Sequence, residues 1–306
     1  MPAKLNFGLR IPAVNPMDVE ALRAFILEAE KLGFSSIWAG DHVFYRSDVL
    51  QPLELLTWVA AQTSRVRLGT AIMLSAYLNP VLLAKSAATI DYLSAGRLTL
   101  GMSIGGTEAE YRSIGVPMDQ RVGRLLESVE IMRRLWTEDD ASYSGRYQQI
   151  EHATINPKPA QKPGVPIYFG ANQEPMLRRL ARVADGWVGS AATPVEAFVQ
   201  GIDTVKAFAR ERGRDPESLG FAKLHGISVH PDRSVALANA ERHWKSYYGQ
   251  RYNVEANTIL GTPEECAERL SGFLGAAVSE VSLALEPTSL DLRELERLKL
   301  TTESFA

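Results

Sequence analysis

The feature that most constrains the fold is a repeated alternation between short apolar, β-rich runs and longer amphipathic segments. Eight such runs occur along the 306 residues. They are Leu5–Arg10, Ser36–Ala39, Arg67–Met73, Arg97–Met102, Pro166–Ala171, Gly186–Ala191, Phe221–Val229 and Val281–Leu285. Because strands that alternate with helices form parallel sheets of βαβ units, eight units predict one α/β domain over residues 1–306, a (β/α)8 TIM barrel. The alternative is an open doubly wound sheet with a small appended domain.

The segments on either side of the fourth predicted strand have the helical period expected of chains that cover a sheet. The recurring positions are Leu83, Ser86, Ala87, Ile90 and Leu93 before it, and Val122, Leu125, Leu126, Val129, Met132 and Trp136 after it. Glycines at positions 33, 96 and 213 follow helical segments, where a left-handed residue lets the chain reverse. Two stretches interrupt the alternation, so we expect insertions at 105–120, after strand four, and at 142–164, before strand five. The second contains a proline cluster and predicts a short hairpin followed by an extended connector.

Net charge and composition limit the classes of molecule that the protein can be expected to bind. The net charge is −3 with no basic block, which argues against a nucleic acid or an anionic membrane as partner. Cys266 is the single cysteine, so no internal disulfide can form, and its helical spacing with Leu270 and Phe273 favours a packed core thiol over a nucleophile. No signal-like start and no apolar run of roughly 18 residues is found. We therefore expect a cytoplasmic protein that acts on a small molecule.

Candidate chemical groups are sought at the carboxyl ends of the strands, because barrel enzymes place their chemistry there. Strand two ends in Asp41-His42, where an imidazole that titrates near neutrality can move protons and the carboxylate can accept hydrogen bonds. An Asp-His pair that only caps the next segment is an equally good interpretation of these two residues alone. The five histidines have no metal-ligand spacing, so no metal site is expected.

The ends of strands four and five carry weaker signals. Gly105 and Gly106 allow the backbone to approach a ligand closely, although a simple turn explains them as well. Strand five ends in PIYFGANQEPMLRRL and runs directly into a helix. Backbone N–H groups and the positive end of the helix dipole there suit a phosphate. The glycine spacing matches neither a dinucleotide-binding loop nor a P-loop.

Taken together, these motifs resemble the bacterial luciferase-like monooxygenase superfamily over nearly the whole chain. The motifs are WAGDH, LGTAI with YLNP, AATIDYLSAGRLTLGMSIGG, PAQKP, ADGW and GTPEECAERL. The resemblance implies a (β/α)8 barrel that uses FMN or the 5-deazaflavin coenzyme F420, usually as a homodimer.

The resemblance also assigns roles to particular residues. Asp-His after strand two is typical of the deazaflavin-dependent branch, whereas FMN monooxygenases tend to carry Glu-His there. His42 is then the proton donor or acceptor beside the ring. The implied cofactor contacts are Asp41, a cis peptide at Ala71-Ile72, Ser75 or Leu74 near the pyrimidine edge, and Ile104 and Gly105 beside the ring. The implied phosphate site is Asn172, Gln173, Pro175 and Met176, next to Gly170 and Ala171.

This chain departs from the sugar-phosphate dehydrogenases of the superfamily at three places. Those members carry a glutamate where Gly106 stands and a lysine in the loop after strand six, where this chain reads GSAATPVEAF. Their phosphate loop usually has Gly-Gly in place of Asn172-Gln173. Glu108 and Glu110 lie near the first gap, and the sequence alone assigns neither a role.

We therefore predict an oxidoreductase that transfers hydride between coenzyme F420 and a small uncharged organic substrate. The apolar loops after strands three and six favour an uncharged substrate, with Tyr77 and Trp38 as its predicted contacts. This prediction requires that Lys223 and His225 point away from the mouth. The alternatives are an FMN-dependent monooxygenase and a flavin-binding barrel without turnover.

Overall fold

The computed structural model describes residues 2–305 as twelve strands and eleven α-helices. The strands are β1 (Lys4–Arg10), β2 (Ser36–Ala39), β3 (Arg67–Thr70), β4 (Met73–Leu74), β5 (Leu98–Ser103), β6 (Ala141–Ser144), β7 (Gln149–Ala153), β8 (Ile167–Gly170), β9 (Gly186–Gly189), β10 (Gly220–Val229), β11 (Thr258–Gly261) and β12 (Glu280–Glu286). The helices are α1 (Val19–Lys31), α2 (Pro52–Gln62), α3 (Pro80–Leu93), α4 (Glu108–Ile114), α5 (Arg121–Thr137), α6 (Glu174–Val183), α7 (Val195–Glu211), α8 (Arg233–Tyr248), α9 (Val254–Asn257), α10 (Pro263–Ser271) and α11 (Leu292–Thr302).

Eight parallel strands close into a barrel. The order is β1, β2, β3, β5, β8, β9, β10 and β12, and β12 pairs with β1 from Lys4↔Glu280 to Leu9↔Leu285. Closure confirms the predicted (β/α)8 barrel and excludes the open sheet. All carboxyl ends therefore meet at one opening, which we call the mouth.

The third strand differs from its prediction. The run Arg67–Met73 was expected to be continuous, but β3 stops at Thr70 and the chain resumes as β4 at Met73. The Ala71-Ile72 peptide between them is cis, as the family resemblance implied. The break places both residues at the mouth instead of in the ladder.

The helix faces agree with the predicted period, with two exceptions in α3. In α5, Leu125, Val129, Met132 and Trp136 are buried. In α3, Leu83, Ala87 and Ile90 are buried, but Ser86 is exposed and Leu93 is 66% exposed. Gly33, Gly96 and Gly213 all have positive φ angles, as expected for left-handed caps.

Two additions surround the barrel. Strands β6 and β7 form the antiparallel hairpin expected before the fifth barrel strand. Strand β11 pairs with the second half of β10, from Gly226↔Thr258 to Val229↔Gly261, and was not predicted. This extra strand and α9 extend the wall of the mouth beside α8. Within residues 2–305, no helix combines the length and the hydropathy that a membrane span requires.

Candidate active site

A cavity of about 340 Å³ opens at the mouth between the ends of β3, β5, β8 and β9. Nine of the predicted cofactor contacts line it: Ala71, Ile72, Ile104, Gly105, Gly170, Ala171, Asn172, Gln173 and Met176. Asp41, Ser75 and Pro175 were predicted with them and do not line it. The structure therefore brings together, in one cavity, residues that are up to about a hundred positions apart.

The floor of this cavity depends on glycines. A Cβ atom at Gly170 would lie 2.4 Å from Ile72 Cδ1, and one at Gly105 would lie 3.0 Å from Leu74 Cδ2. Side chains at these positions would push their neighbours into the cavity. The space is thus kept open for a flat group that packs against backbone.

Asp41 is buried behind the cavity and holds its floor in place. One carboxylate oxygen, Oδ2, accepts a hydrogen bond from the Leu74 N–H at 2.9 Å. Burial raises the pKa of Asp41, and the nearby Glu110 and Glu54 carboxylates act in the same direction, against the Leu74 hydrogen bond. The carboxylate anchors the chain that follows the cis peptide.

His42 is half-buried, and its ring stacks on Tyr45 with centroids 4.1 Å apart. Its Nδ1 lies 3.7 Å from Glu110 Oε1, too far for a hydrogen bond, and this buried nitrogen has no partner. Burial lowers the pKa of His42, Glu110 opposes that shift and Arg10 adds to it. The imidazole is therefore neutral at pH 7, with a carboxylate nearby that stabilises its protonated form.

Glu110 is fully buried and belongs to the capping box of α4. Its carboxylate accepts hydrogen bonds from the N–H groups of Thr107, Val43 and Phe44 at 2.6, 3.0 and 3.4 Å. Burial raises its pKa, but these three backbone donors outweigh burial and hold it below its usual range. Glu108, by contrast, is exposed on the first turn of α4. The T-x-x-E spacing from Thr107 was the sequence signal for this cap.

A buried ion pair supports the same wall and was missed in the sequence. Arg10 at the end of β1 pairs with Glu286 at the end of β12, and both side chains are buried. Arg10 Nε also donates to the Ala71 carbonyl at 3.2 Å. His243 Nε2 lies 3.4 Å from Glu286 Oε1. Because the partners are 276 positions apart, only closure of the barrel brings them together.

Polar atoms without partners gather around Asp41 and Glu110. Besides His42 Nδ1, the buried Ser75 and Tyr77 hydroxyls make no hydrogen bond in the described chain. Burial raises the pKa of Tyr77, and the nearby carboxylates of Asp41 and Glu110 raise it further. Buried polar atoms are nearly always paired, so such orphans mark a place where a ligand supplies the partners. A flat heterocycle with polar edges fits this donor set and the glycine floor.

The opposite end of the cavity fits an anion. Asn172 Nδ2 donates to Ser190 Oγ at 3.0 Å, and Thr193 Oγ1 donates to Asn172 Oδ1 at 3.1 Å, so the loops after β8 and β9 are tied together. Helix α6 begins beside them. Pro175 has no N–H and the Met176 N–H donates to the Gln173 carbonyl, so the N–H groups of Gln173 and Glu174 are the ones that this helix start offers to a ligand.

The prediction that Trp38 contacts the substrate is wrong. Its indole N–H donates to Ser36 Oγ at 2.8 Å, and the ring lies inside the barrel with Ala71, Val188 and Ala284. It lines a different cavity, at the amino-terminal end. Period-two alternation correctly places Trp38 inside the barrel, but it does not fix the tilt of the ring along the barrel axis.

Lys223 and His225 point away from the mouth, as the substrate prediction requires. Lys223 pairs across the sheet with Gly189 and Leu283. A Cβ atom at Gly189 would lie 2.6 Å from Phe198 of α7 and 2.9 Å from Lys223 Cδ, so Lys223 lies between the sheet and the helices. His225 comes two residues after Lys223 on β10, so both side chains lie on the same face of the strand. The Nδ1 atom of His225 lies 3.0 Å from the Gly226 carbonyl oxygen.

The largest cavity, about 540 Å³, lies at the opposite end of the barrel, around Pro166, Tyr168 and Glu280. A neighbouring cavity of about 440 Å³ shares these three residues. None of the described side chains that line either cavity holds a buried polar atom without a partner, and Arg133 of the larger cavity pairs with Asp185 at 2.8 Å. Residues 2–305 contain no group of three or more potential ligands that could hold a metal ion. We place the candidate site at the mouth because three buried unpaired groups, those of His42, Ser75 and Tyr77, are there. The other two that the structure describes, Trp244 Nε1 and Thr258 Oγ1, lie on α8 and β11.

Comparison with known proteins identifies the family of the chain. A family model described as luciferase-like monooxygenase matches residues 5–280. The F420-dependent glucose-6-phosphate dehydrogenase of Segniliparus rotundus is 30% identical over 278 residues, covering 88% of this chain and 80% of that protein.

Solved structures of similar fold bind different cofactors. An F420-dependent secondary alcohol dehydrogenase in complex with an F420-acetone adduct has a TM-score of 0.85 at 21% identity, with 100% of both chains covered. The oxygenating constituent of 3,6-diketocamphane monooxygenase of Pseudomonas putida, in complex with FMN, has a TM-score of 0.78 at 16% identity, covering 100% of this chain and 98% of that one. At these identities the likeness establishes the fold alone.

Proposed function

The chain belongs to the luciferase-like monooxygenase family and is an oxidoreductase of that class, and we propose that it binds coenzyme F420 at the mouth and transfers hydride to or from a small uncharged organic molecule. The observation that carries the proposal is the set of buried, unpaired polar atoms that follow β2 and β4, at the same end of the barrel as the glycine-floored cavity, namely His42 Nδ1, Ser75 Oγ and Tyr77 Oη. A deazaflavin supplies hydride chemistry at its ring carbon C5.

Binding is divided between the two ends of the cavity. The backbone at Gly105 and Gly170 and the side chain of Ile72 pack against the ring. The N–H groups of Gln173 and Glu174, with Asn172 beside them, hold the phosphate. Asp41 keeps the Leu74 segment in place through its 2.9 Å hydrogen bond.

His42 serves as the general acid and base at the substrate oxygen. Its neutral ring accepts a proton when an alcohol is oxidised and returns it when a carbonyl is reduced. Glu110 stabilises the protonated form from 3.7 Å, and stacking on Tyr45 fixes the plane of the ring. The hydrogen bonds that hold Val43 and Phe44 to Glu110 keep the loop around His42 in one conformation.

The proposal of an uncharged substrate is supported by what lines the cavity. Apart from polar groups near the phosphate end, the wall presents Ile72, Ile104, Val188 and Leu224, and no lysine or arginine side chain is among the lining residues. A phosphorylated substrate needs a cationic clamp of its own. This is why glucose 6-phosphate, the substrate named for the relative, is not our choice.

Side-by-side equilibrium titration with F420 and FMN tests the cofactor. We expect F420 to bind more tightly, and FMN binding at least tenfold tighter would overturn this choice. The Pseudomonas protein solved with FMN is the specific reason to include the second ligand. An FMN monooxygenase would also show a rapid reaction of its reduced cofactor with oxygen.

A substrate panel tests the reaction. Simple alcohols, aldehydes, enones and glucose 6-phosphate are assayed with oxidised and reduced F420. We expect turnover of neutral compounds. Efficient turnover of the sugar phosphate alone would overturn the substrate class, and cofactor binding without any turnover would favour the non-catalytic barrel.

A further inference from the structure

Lys223 is a fully buried lysine directly behind the wall of the candidate cofactor cavity. Its ammonium donates to the carbonyl oxygens of Ser190 at 2.7 Å and of Leu224 at 2.6 Å. Both acceptors belong to residues that line the cavity. The side chain itself lies outside the barrel, under Phe198 of α7.

This ammonium has no countercharge in the protein. Across residues 2–305, no carboxylate lies within 4 Å of its nitrogen, and two neutral carbonyls are its partners. Opposite it on β9 and β12 stand Gly189 and Leu283, and α7 contributes Phe198. The titratable neighbour is His225 on the same strand. Burial lowers the pKa of Lys223 to about 7.

The wall connects this charge to the anion end of the cavity. Ser190, whose carbonyl Lys223 holds, accepts a hydrogen bond from Asn172 through its hydroxyl. Asn172 precedes the helix start whose N–H groups are offered to the phosphate. A buried cation without an anion is unfavourable, and a nearby bound anion removes that cost.

We propose that Lys223 is a positioning residue that holds the Ser190 and Leu224 carbonyls and provides the countercharge for the anionic end of the cofactor, taking up a proton from solvent when the cofactor binds. The proposal rests on the cofactor site assigned above. It predicts that binding and protonation of this amine favour one another.

Calorimetric titration with FMN and with F420 at pH 8, in two buffers of different ionisation enthalpy, measures that proton. Free Lys223 is mostly neutral at this pH, whereas the phosphate monoester of FMN, with a pKa near 6, is already a dianion. We expect the wild type to take up close to one proton per ligand. Its Kd should rise by up to about tenfold per pH unit above pH 7.

The variant Lys223→Met should bind FMN and F420 more weakly, without proton uptake, and its Kd should not rise with pH in this way. Lys206→Met is the matched control, because Lys206 is also buried but pairs with Glu217 at 2.6 Å and donates to the Ala277 carbonyl, away from the cavity. This control should keep the proton uptake of the wild type. Unchanged uptake in Lys223→Met, or tight wild-type binding without uptake, would overturn the inference.

Unfolding of the ligand-free protein gives an independent readout. The folded pKa of about 7 lies below the ordinary 10.5 of lysine, so the unfolded chain binds more protons between these values and stability rises with pH there. Lys223→Met should lose this rise, and Lys206→Met should keep it. If neither FMN nor F420 binds, the proposed function fails as well. If FMN or F420 binds while Lys223→Met leaves proton uptake and the rise of stability with pH unchanged, only the inference about Lys223 fails.

Discussion

The cavity at the amino-terminal end of the barrel is larger than the cavity at the mouth, about 540 Å³ against about 340 Å³. None of the described side chains that line it holds a buried polar atom without a partner, and Arg133 pairs there with Asp185. At the mouth, three buried polar atoms of His42, Ser75 and Tyr77 have none. Unpaired buried polar atoms therefore indicate a ligand site better than cavity volume does, because a bound ligand can supply the missing hydrogen-bond partners.

The largest effect should come from His42. His42→Ala removes the proton donor and acceptor, so kcat for the best substrate of the panel should fall by roughly 10²–10⁴-fold. Cofactor affinity should change little, because the ring and phosphate contacts remain. His152→Ala, on the exposed hairpin, is the control. A loss explained wholly by weaker cofactor binding would remove the catalytic role and leave the mouth as a binding site.

A matched pair of glycine variants compares the two ends directly. Gly170→Ala places a Cβ atom 2.4 Å from Ile72 at the mouth, and Gly164→Ala places one 2.7 Å from Trp136 at the amino-terminal end. Overpacking of this kind costs about 1–3 kcal/mol, so both variants should lose stability. Only Gly170→Ala should bind cofactor more weakly, by about tenfold. Equal loss of binding in both would mean that the two cavities are not independent.

A pH-dependent effect should come from His225, behind the wall of the mouth. Burial, together with the charge of Lys223, lowers the pKa of His225 to about 3, below its ordinary 6.5. Between these values the unfolded chain binds the extra proton, so stability is lost as the pH falls below 6.5. His225→Gln should remove up to about 1.4 kcal/mol per pH unit of that loss. Urea unfolding at pH 4.5 and pH 7 measures this change in the free energy of unfolding. The same pH dependence in His225→Gln and in the wild type would contradict the prediction.

The smallest effect is expected at the amino-terminal end. Arg133 and Asp185 form an ion pair whose side chains are 38% and 39% exposed. Exposed pairs contribute at most about 1 kcal/mol, so Arg133→Met should barely change the denaturation midpoint. Cofactor titration should match the wild type within error. A clear loss of binding would show that the larger cavity also takes part in function.

Much of the fold was predictable because it depends on short-range patterns. The eight barrel strands follow from apolar runs, and the left-handed Gly33, Gly96 and Gly213 follow from their positions after helices. Strand β11 (Thr258–Gly261) was missed because it follows α9 without a break and α10 begins two residues after it, so no turn separates it from the helices.

The candidate site was predictable in part, for a related reason. Residues next to strand ends, such as Gly105 and Asn172, reach the mouth by topology alone. Arg10 and Glu286 could not be paired from sequence, because nothing local to either of them specifies the other. The tilt of Trp38 depends on the small residues around it, Gly69 among them, which leave room for the ring on one side.

The position of Trp38 also bears on the order in which ligands add and leave. With Ala71, Val188 and Ala284 it fills the barrel between the two ends, so nothing passes along the axis. On the proposed function, cofactor and substrate then share one entrance, with the cofactor placed deeper, against the Gly105 and Gly170 that line the cavity. For this arrangement we expect a compulsory order in steady-state kinetics: the cofactor binds before the substrate, and the product departs before the spent cofactor.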